Sequence, residues 1–374
     1  MKEVFIVADN IVSPLGSTTV ANFSKLLLNV SAVKPHNNKQ IADEPFFASL
    51  FDENSFKTNK GYTKFEQLLI ASIDEALKQT DIDPSDKKTL LIISTTKGNI
   101  SLLETEAYND ELKNRIALHT SAKLIAEHFH FINQPIVVSN ACISGLLGII
   151  TAMRLIRSNQ YSTVIIAGAD VVSKFIFSGF QSFQALSNTI CKPFDKNRDG
   201  INLGEAAATI ILSSNKKSSE DIKVISGSVS NDANHISGPS RTGDELHHCI
   251  YISMKDAGLS ASDIDCISAH GTATIYNDEM EAKAIASAKL QSAPVNSLKG
   301  YYGHTLGAAG LIESIISIQS LQQNILIPTK GFEEIGVSET INVYHEIMHA
   351  SLRNFLKTAS GFGGCNAAVI FSKS

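Results

Sequence analysis

Cys142 ends the apolar, β-branched run Pro135-Ile-Val-Val-Ser-Asn-Ala-Cys142, and the residues after it stay almost wholly apolar until Arg154. That pattern predicts a strand, a polar turn and a buried helix that opens at the thiol. Free amides and the positive dipole end at a helix start favour a thiolate, so the Cys142 pKa is expected to fall and its sulfur to act as a nucleophile. The alternative is a small core residue, as buried free cysteines often are. Two histidines weigh against that alternative. His270 lies in Ile267-Ser-Ala-His270-Gly271-Thr272-Ala-Thr274, where a strand runs into a turn. His304 lies in Lys299-Gly-Tyr-Tyr-Gly303-His304-Thr-Leu-Gly307-Ala-Ala-Gly310, where glycine-rich backbone leads into an apolar helix over 311–321. One histidine beside a glycine is an ordinary turn or core residue. Two of them, with a helix-start thiol, make a constellation of converging roles.

The elements that must position these residues repeat. Residues 70–77, an acidic turn and then Thr89-Leu-Leu-Ile-Ile-Ser-Thr95 read as helix, turn and strand. Residues 250–258, a second acidic turn and Cys266-Ile-Ser-Ala-His270 read the same way. Leu146, Ile150, Met153, Ile156 and Asn159 match Leu311, Ile315, Ile318, Leu321 and Asn324 at one constant offset. A duplicated α/β unit accounts for both repeats. Strands alternating with helices imply sheets covered on both faces. Two such halves, each giving one buried helix, make an α/β/α/β/α sandwich. The expected halves are residues 1–213, carrying the thiol, and 222–374, carrying both histidines, joined by the polar segment 213–221.

The motifs, in this order, resemble the β-ketoacyl-acyl carrier protein synthases, the condensing enzymes of the thiolase superfamily. Cys142 falls at the family's nucleophile, His270 in its His-Gly-Thr motif and His304 in its Lys…Gly-His-x-x-Gly-Ala-Ala-Gly motif. Pro193-Phe-Asp195-x-x-Arg198-Asp199-Gly200 with Gly204-Glu205 is similar to its central signature, and Gly361-Phe362-Gly363-Gly364 to its C-terminal glycine loop. The Cys-His-His set resembles the elongating synthases. The resemblance implies an α/β, thiolase-like five-layered sandwich from two duplicated halves. It also implies an acyltransferase that condenses an acyl-enzyme with malonyl-acyl carrier protein, with loss of carbon dioxide, in fatty-acid or specialised polyketide or polyene biosynthesis. The competing reading is a non-catalytic, chain-length-factor-like partner of another ketosynthase; such partners typically lack the cysteine found here. The chain departs from the family at Ile275, in place of a proline, at Ala206 and Ala208, in place of glycines, and at Cys365, in place of a threonine.

The chemistry assigns roles. Acyl transfer passes through oxyanions, which the amides of Cys142 and Phe362 are placed to hold. Decarboxylation builds charge on the malonyl thioester oxygen, to which neutral His270 and His304 can donate. The resemblance makes Lys299 a buried, orienting charge paired with Asp278 and Glu313; otherwise it is a solvated lysine. A carboxylate in the apolar stretch around Glu313 is costly unless paired. Thr272 and Thr274 either bind the pantetheine amides or serve the turn. Phe362, between glycines, resembles the family's gate, or is one more core aromatic. Lys57, Lys60 and Lys64 form a basic rim suited to an acidic acyl carrier protein, or plain solvated surface. Arg198, Asp199 and Asp195 are expected to clamp a loop beneath the site. The resemblance implies that strand 164–168 pairs across a two-fold axis, in a homodimer or a heterodimer with a second ketosynthase-like chain. Phe175, Phe177, Phe180 and Phe183 would line that interface or an acyl tunnel.

Composition narrows the rest. The 374 residues are 43% hydrophobic with a formal charge of −5, which gives no nucleic-acid footprint. Five scattered cysteines without a Cys-x-x-Cys pair argue against a disulfide framework and a zinc site, and for a reducing compartment, the cytoplasm. No uncharged apolar stretch approaches the ~20 residues that span a bilayer. The chemistry requires no metal and no cofactor beyond the phosphopantetheine of the carrier.

Overall fold

A computed structural model of the chain describes residues 2–52, 55–56, 61–218, 220–233 and 238–374. Ten strands build two half-sheets. The first holds β1 (Phe5–Val12), β2 (Thr89–Ser94), β3 (Ile136–Val138), β4 (Thr163–Asp170) and β5 (Ala206–Ser213) in the order 3-2-4-5-1. The second holds β6 (Ile222–Asn231), β7 (Cys266–Ser268), β8 (Pro294–Asn296), β9 (Asn354–Gly361) and β10 (Cys365–Lys373) in the order 8-7-9-10-6. The order is the same permutation twice. The ladder directions also repeat: β2 runs parallel to β3 and β4 as β7 does to β8 and β9, while β5 and β10 run antiparallel to their neighbours. The halves meet where Phe5 pairs with Lys223, and Asn342–Val343 extends the far edge beside β8.

The helices that bear on the site are α1 (Lys64–Leu77), α2 (Ser144–Arg157), α3 (Lys174–Ser182), α4 (Asp244–Ala257), α5 (Ile275–Ser287) and α6 (Ala309–Gln323). α1 covers one outer face and α4 the other. α2 and α6 lie between the half-sheets, and each packs on strands of both. This is the five-layered sandwich expected from the repeat. Leu146, Ile150, Ile156, Leu311, Ile315 and Leu321 are fully buried in this central layer. Each such side chain is worth roughly 1.5–3 kcal/mol against exposure.

The helix repeat has a physical anchor. Gly145 and Gly310 stand at the same offset as the apolar residues. A Cβ at Gly145 would lie 2.9 Å from the Gly307 carbonyl oxygen, and one at Gly310 2.7 Å from the Leu146 nitrogen. The two helix starts therefore cross at backbone contact, directly behind Cys142 and His304. Asn159 and Asn324 end the helices in the left-handed region at φ 61° and 55°, where asparagine is better tolerated than most residues.

One expectation is corrected. β4, which contains Val164 to Gly168, is flanked by β2 and β5 along its whole length, so it has no edge to offer a second subunit. The free edge of the first half is β3, the short strand that leads to Cys142. Among the described residues, no helix is long and apolar enough to cross a membrane.

Candidate active site

β3 leads through Cys142 into α2 by a strained turn. Ala141 sits at φ 44°, a conformation that residues with a Cβ rarely adopt. Ser144 holds the turn: its hydroxyl accepts from the Asn140 amide at 2.8 Å and donates to the Ala141 carbonyl at 2.7 Å. The helix begins at Ser144, so Cys142 precedes it rather than forming its first turn. The thiol is 8% exposed. Burial, and then neighbouring Cys365, push its pKa up to about 12, against the pull of Lys299 and Lys97. The expected fall in pKa does not follow: loss of water penalises the thiolate more than the two lysines favour it.

His304 Nε2 lies 2.9 Å from Cys142 Sγ. Its loop is fixed at both ends. The His304 amide donates to Asn202 at 2.7 Å, and the Gly307 amide donates to the buried Asp170 carboxylate at 2.7 Å. Asp170 also accepts from the Thr95 hydroxyl at 2.8 Å and the Thr96 amide at 3.0 Å, tying β2's end to the histidine loop. His270 follows β7, and Glu281 of α5 accepts from its amide at 2.8 Å and from that of Gly271 at 2.6 Å. The two imidazoles stand nearly perpendicular with centroids 5.2 Å apart. Ligating atoms of Cys142, His270 and His304 lie within 4.8 Å of one another.

Lys299 Nζ lies 3.4 Å from His270 Nδ1. An ammonium only donates, so Nδ1 accepts and the His270 proton sits on Nε2. His304 Nδ1 has no hydrogen-bond partner among the described residues, so its tautomer is not pinned. Burial, then the charge of Lys299, hold both imidazoles well below the ordinary histidine range and keep them neutral.

Behind the imidazoles lies a buried ion cluster. Lys299 donates to the His270 carbonyl at 2.7 Å and pairs with Glu313 at 2.5 Å, as expected. Asp278 does not join them, which corrects the expected pairing. Its carboxyl accepts from the amides of Phe194 at 2.7 Å and Thr272 at 2.9 Å, and burial raises its pKa to about 7. The second lysine on Glu313 is Lys357 of β9, at 2.7 Å. Sequence reasoning missed Lys357, Glu281 and Asp170. A charge inside the apolar stretch Asn354-Phe-Leu-Lys-Thr-Ala is the same signal that singled out Glu313.

These residues open onto a cavity of about 240 Å³ lined by Cys142, both histidines, Thr272, Thr274 and Phe362. The two threonine hydroxyls lie 2.7 Å apart. Phe362 is 40% exposed and rests on Phe180 and Phe183, with centroids 5.6 Å and 5.3 Å away. Gly363 and Gly364 beside it have φ 86° and 76°, which glycine alone adopts without cost. A Cβ at Gly361 would lie 3.0 Å from the Cys142 nitrogen, so the glycine loop abuts the nucleophile's amide. Phe177 is buried against Phe46, whereas Phe175 and Phe183 are exposed. Asp195 accepts from the amides of Glu333 and Glu334, and Arg198 donates to the Gly336 carbonyl, so this pair clamps loop 333–336. Asp199 instead lines the cavity. Of the basic rim, Lys57 and Lys60 lie outside the described residues. Lys64 pairs with Glu205 at 2.6 Å and remains partly exposed.

The comparisons with known proteins bear on this geometry. Residues 1–218 match the beta-ketoacyl synthase N-terminal domain and residues 222–333 the C-terminal domain. A Schizosaccharomyces pombe protein described as a mitochondrial 3-oxoacyl-acyl-carrier-protein synthase is 30% identical over 345 residues, 83% of this chain and 81% of its own length. A 3-oxoacyl-acyl-carrier-protein synthase 2 of Rhizobium meliloti is 27% identical over 418 residues, 100% of this chain and 99% of its own. Among solved structures, the ishigamide ketosynthase/chain length factor superposes with a TM-score of 0.90 at 24% identity, covering 100% of this chain and 99% of that one. A ketosynthase in complex with its chain length factor from Xenorhabdus doucetiae gives 0.86 at 23%, covering 100% and 98%. The structural likenesses establish the thiolase-type condensing-enzyme fold. The chain belongs to the β-ketoacyl synthase family.

Proposed function

We propose that this chain condenses an acyl group, held on Cys142, with malonyl carried by an acyl carrier protein. One observation carries the reading: a buried thiol 2.9 Å from an imidazole, faced by a second imidazole across one cavity. In the first half-reaction the sulfur attacks the acyl thioester. Its proton passes to His304 Nε2 and on to the departing carrier thiol, and the acyl–sulfur bond moves from carrier to enzyme. The amides of Cys142 and Phe362 hold the oxyanion, a contribution of roughly 3–4 kcal/mol per effective donor. In the second half, malonyl loses carbon dioxide and the electron pair moves onto its thioester oxygen. The Nε2–H of His270, with that of His304, holds this charge. The enolate carbon then attacks the acyl-enzyme, the acyl–sulfur bond breaks, and the Cys142 thiolate that leaves takes up a proton from water. Thr272 and Thr274 line the approach for the pantetheine amides, and Phe362 gates the cavity. No metal or resident cofactor takes part in this scheme.

The partner reading follows the same geometry. A second ketosynthase-like chain, identical or not, pairs along the free edge of β3, in an apolar interface of more than ~2,000 Å² that also covers Phe175 and Phe183. Five unpaired cysteines support a reducing, cytoplasmic setting.

The test is intact mass spectrometry after incubation with an acyl-carrier thioester. One acyl adduct is expected, and Cys142→Ala should lose it, with turnover falling by on the order of 10⁴–10⁶. An adduct that persists in Cys142→Ala would overturn the assignment.

A further inference from the structure

Glu313 carries a lysine on each oxygen. Lys299 Nζ lies 2.5 Å from Oε1 and Lys357 Nζ 2.7 Å from Oε2. Both lysines are 0% exposed. Two ammoniums thus share one carboxylate directly behind the imidazoles, with the buried Glu281 carboxylate on the far side of the His270 backbone. Breaking such a buried cluster is costly, and a fold seldom keeps one for stability alone. Lys357 is also anchored on the backbone that carries His270. It donates to the carbonyls of Ser268 at 3.0 Å, Ala269 at 3.2 Å and Thr358 at 2.7 Å.

The other half of the molecule indicates that the architecture does not need this cluster. Ser94 pairs with Gly168 across β2 and β4 as Ser268 pairs with Lys357 across β7 and β9. The next amides, Thr95 and Ala269, donate to the ends of the neighbouring strands at Val138 and Asn296. Lys357 therefore takes the place of Gly168. By the offset that relates α2 to α6, Glu313 takes the place of Gly148. A Cβ at Gly168 would come within 2.3 Å of Ser94 Oγ, and one at Gly148 within 2.9 Å of Ile166. In the first half these places are glycines packed tightly on Ser94 and Ile166, where the second half holds an ion pair.

We propose that Lys357 is a positioning residue for decarboxylation: it fixes Glu313, and through it Lys299 and His270, and its charge favours the anion that develops on the malonyl thioester oxygen. The proposal rests on the reading of the imidazoles given above. Lys357 touches no reacting atom and transfers nothing; the bond that breaks joins the malonyl carboxyl to its methylene carbon. The groups facing His270 are Lys299 of the 299–302 turn, Lys357 of β9, Glu313 of α6, Glu281 of α5, and His304 and Cys142 across the cavity. The charge of Lys357 lowers the His270 pKa, behind burial, Lys299 and His304.

The test compares Lys357→Met, Lys357→Gln and His270→Ala with the parent enzyme. Cys142 acylation is followed by mass, and carbon dioxide release from malonyl carrier is followed against pH. In Lys357→Met, acylation should change by less than about twofold while carbon dioxide release falls roughly tenfold or more. The acid limb of its pH profile should move up, because His270 loses a repelling cation and protonates more readily. Equal losses in both half-reactions, or unchanged release with an unmoved acid limb, would overturn the proposal. Loss of acylation in both Lys357 variants would make the lysine a purely structural residue, which also overturns it. If His270→Ala keeps carbon dioxide release, the imidazole reading fails and this inference with it. If His270→Ala loses release and Lys357→Met does not, only this inference fails.

Discussion

The two halves have one topology and place different groups behind the site. The first half brings Cys142 to the cavity, backed by the apolar residues and glycines of the central layer, and keeps its buried carboxylates Glu66 and Glu205 away from the histidines. The second half offers both histidines and buries Lys299, Lys357, Glu281 and Glu313 behind them. Chemistry has been divided along the duplication. In the proposed scheme one copy presents the atom that would bond the acyl group, and the other the field in which malonyl would lose its carboxyl. Asp170 bridges the two, since its carboxylate holds both the end of β2 and the Gly307 amide.

This contrast can be broken by separating the half-reactions. His270→Ala should cut carbon dioxide release by roughly 10²–10³, the cost of one oxyanion donor, yet leave Cys142 acylation largely intact. Equal loss of both steps, measured by product release and by adduct mass, would mean that the division is not real. A milder test uses pH. Both imidazoles titrate well below 6.5, first because they are buried and then because Lys299 repels a second positive charge. A lowered pKa keeps a base neutral further into acid. Carbon dioxide release by Cys142→Gln should therefore stay flat as pH falls through 6.5 and drop only below it. A half-loss near 6.5 would show at least one ordinary histidine. The smallest effect concerns the seam. Gly310→Ala should lower stability by about 1–3 kcal/mol, because its Cβ overlaps Leu146 and the helices must part. Thermal unfolding measures it, and an unchanged midpoint would mean that the helix starts are not in close contact.

The duplication and the thiol and two imidazoles that meet at the cavity were legible in the sequence for physical reasons. Helix and strand periodicity survives divergence, and a thiol or imidazole among glycines and apolar residues has few reasons to be there. What was missed needed distance information. Lys357 and Glu313 are far apart in sequence, so neither announces its partner. Asp278 has the right charge to pair with Lys299, but it faces two backbone amides instead. β4 reads as a fully apolar strand, and such a strand looks alike whether a second subunit or β5 lies beside it. The pKa of Cys142 was misjudged because the start of α2 lies beyond it, at Ser144, and because burial dominates.

The placement of α2 and α6 has a consequence for how the chain folds. Each helix lies on strands of both half-sheets. A nascent first half would expose Leu146, Ile150 and Ile156 on one side of α2 until α6 is made and docked. Neither half then buries its own central helix, and the central layer is completed through contacts distant in the chain. Amide exchange should find β4, β9, α2 and α6 opening together at the global unfolding free energy, while the outer α1 and α4 open at lower cost. The thiol and its imidazole meet across the starts of these two helices, so the site is assembled only where the central layer is closed.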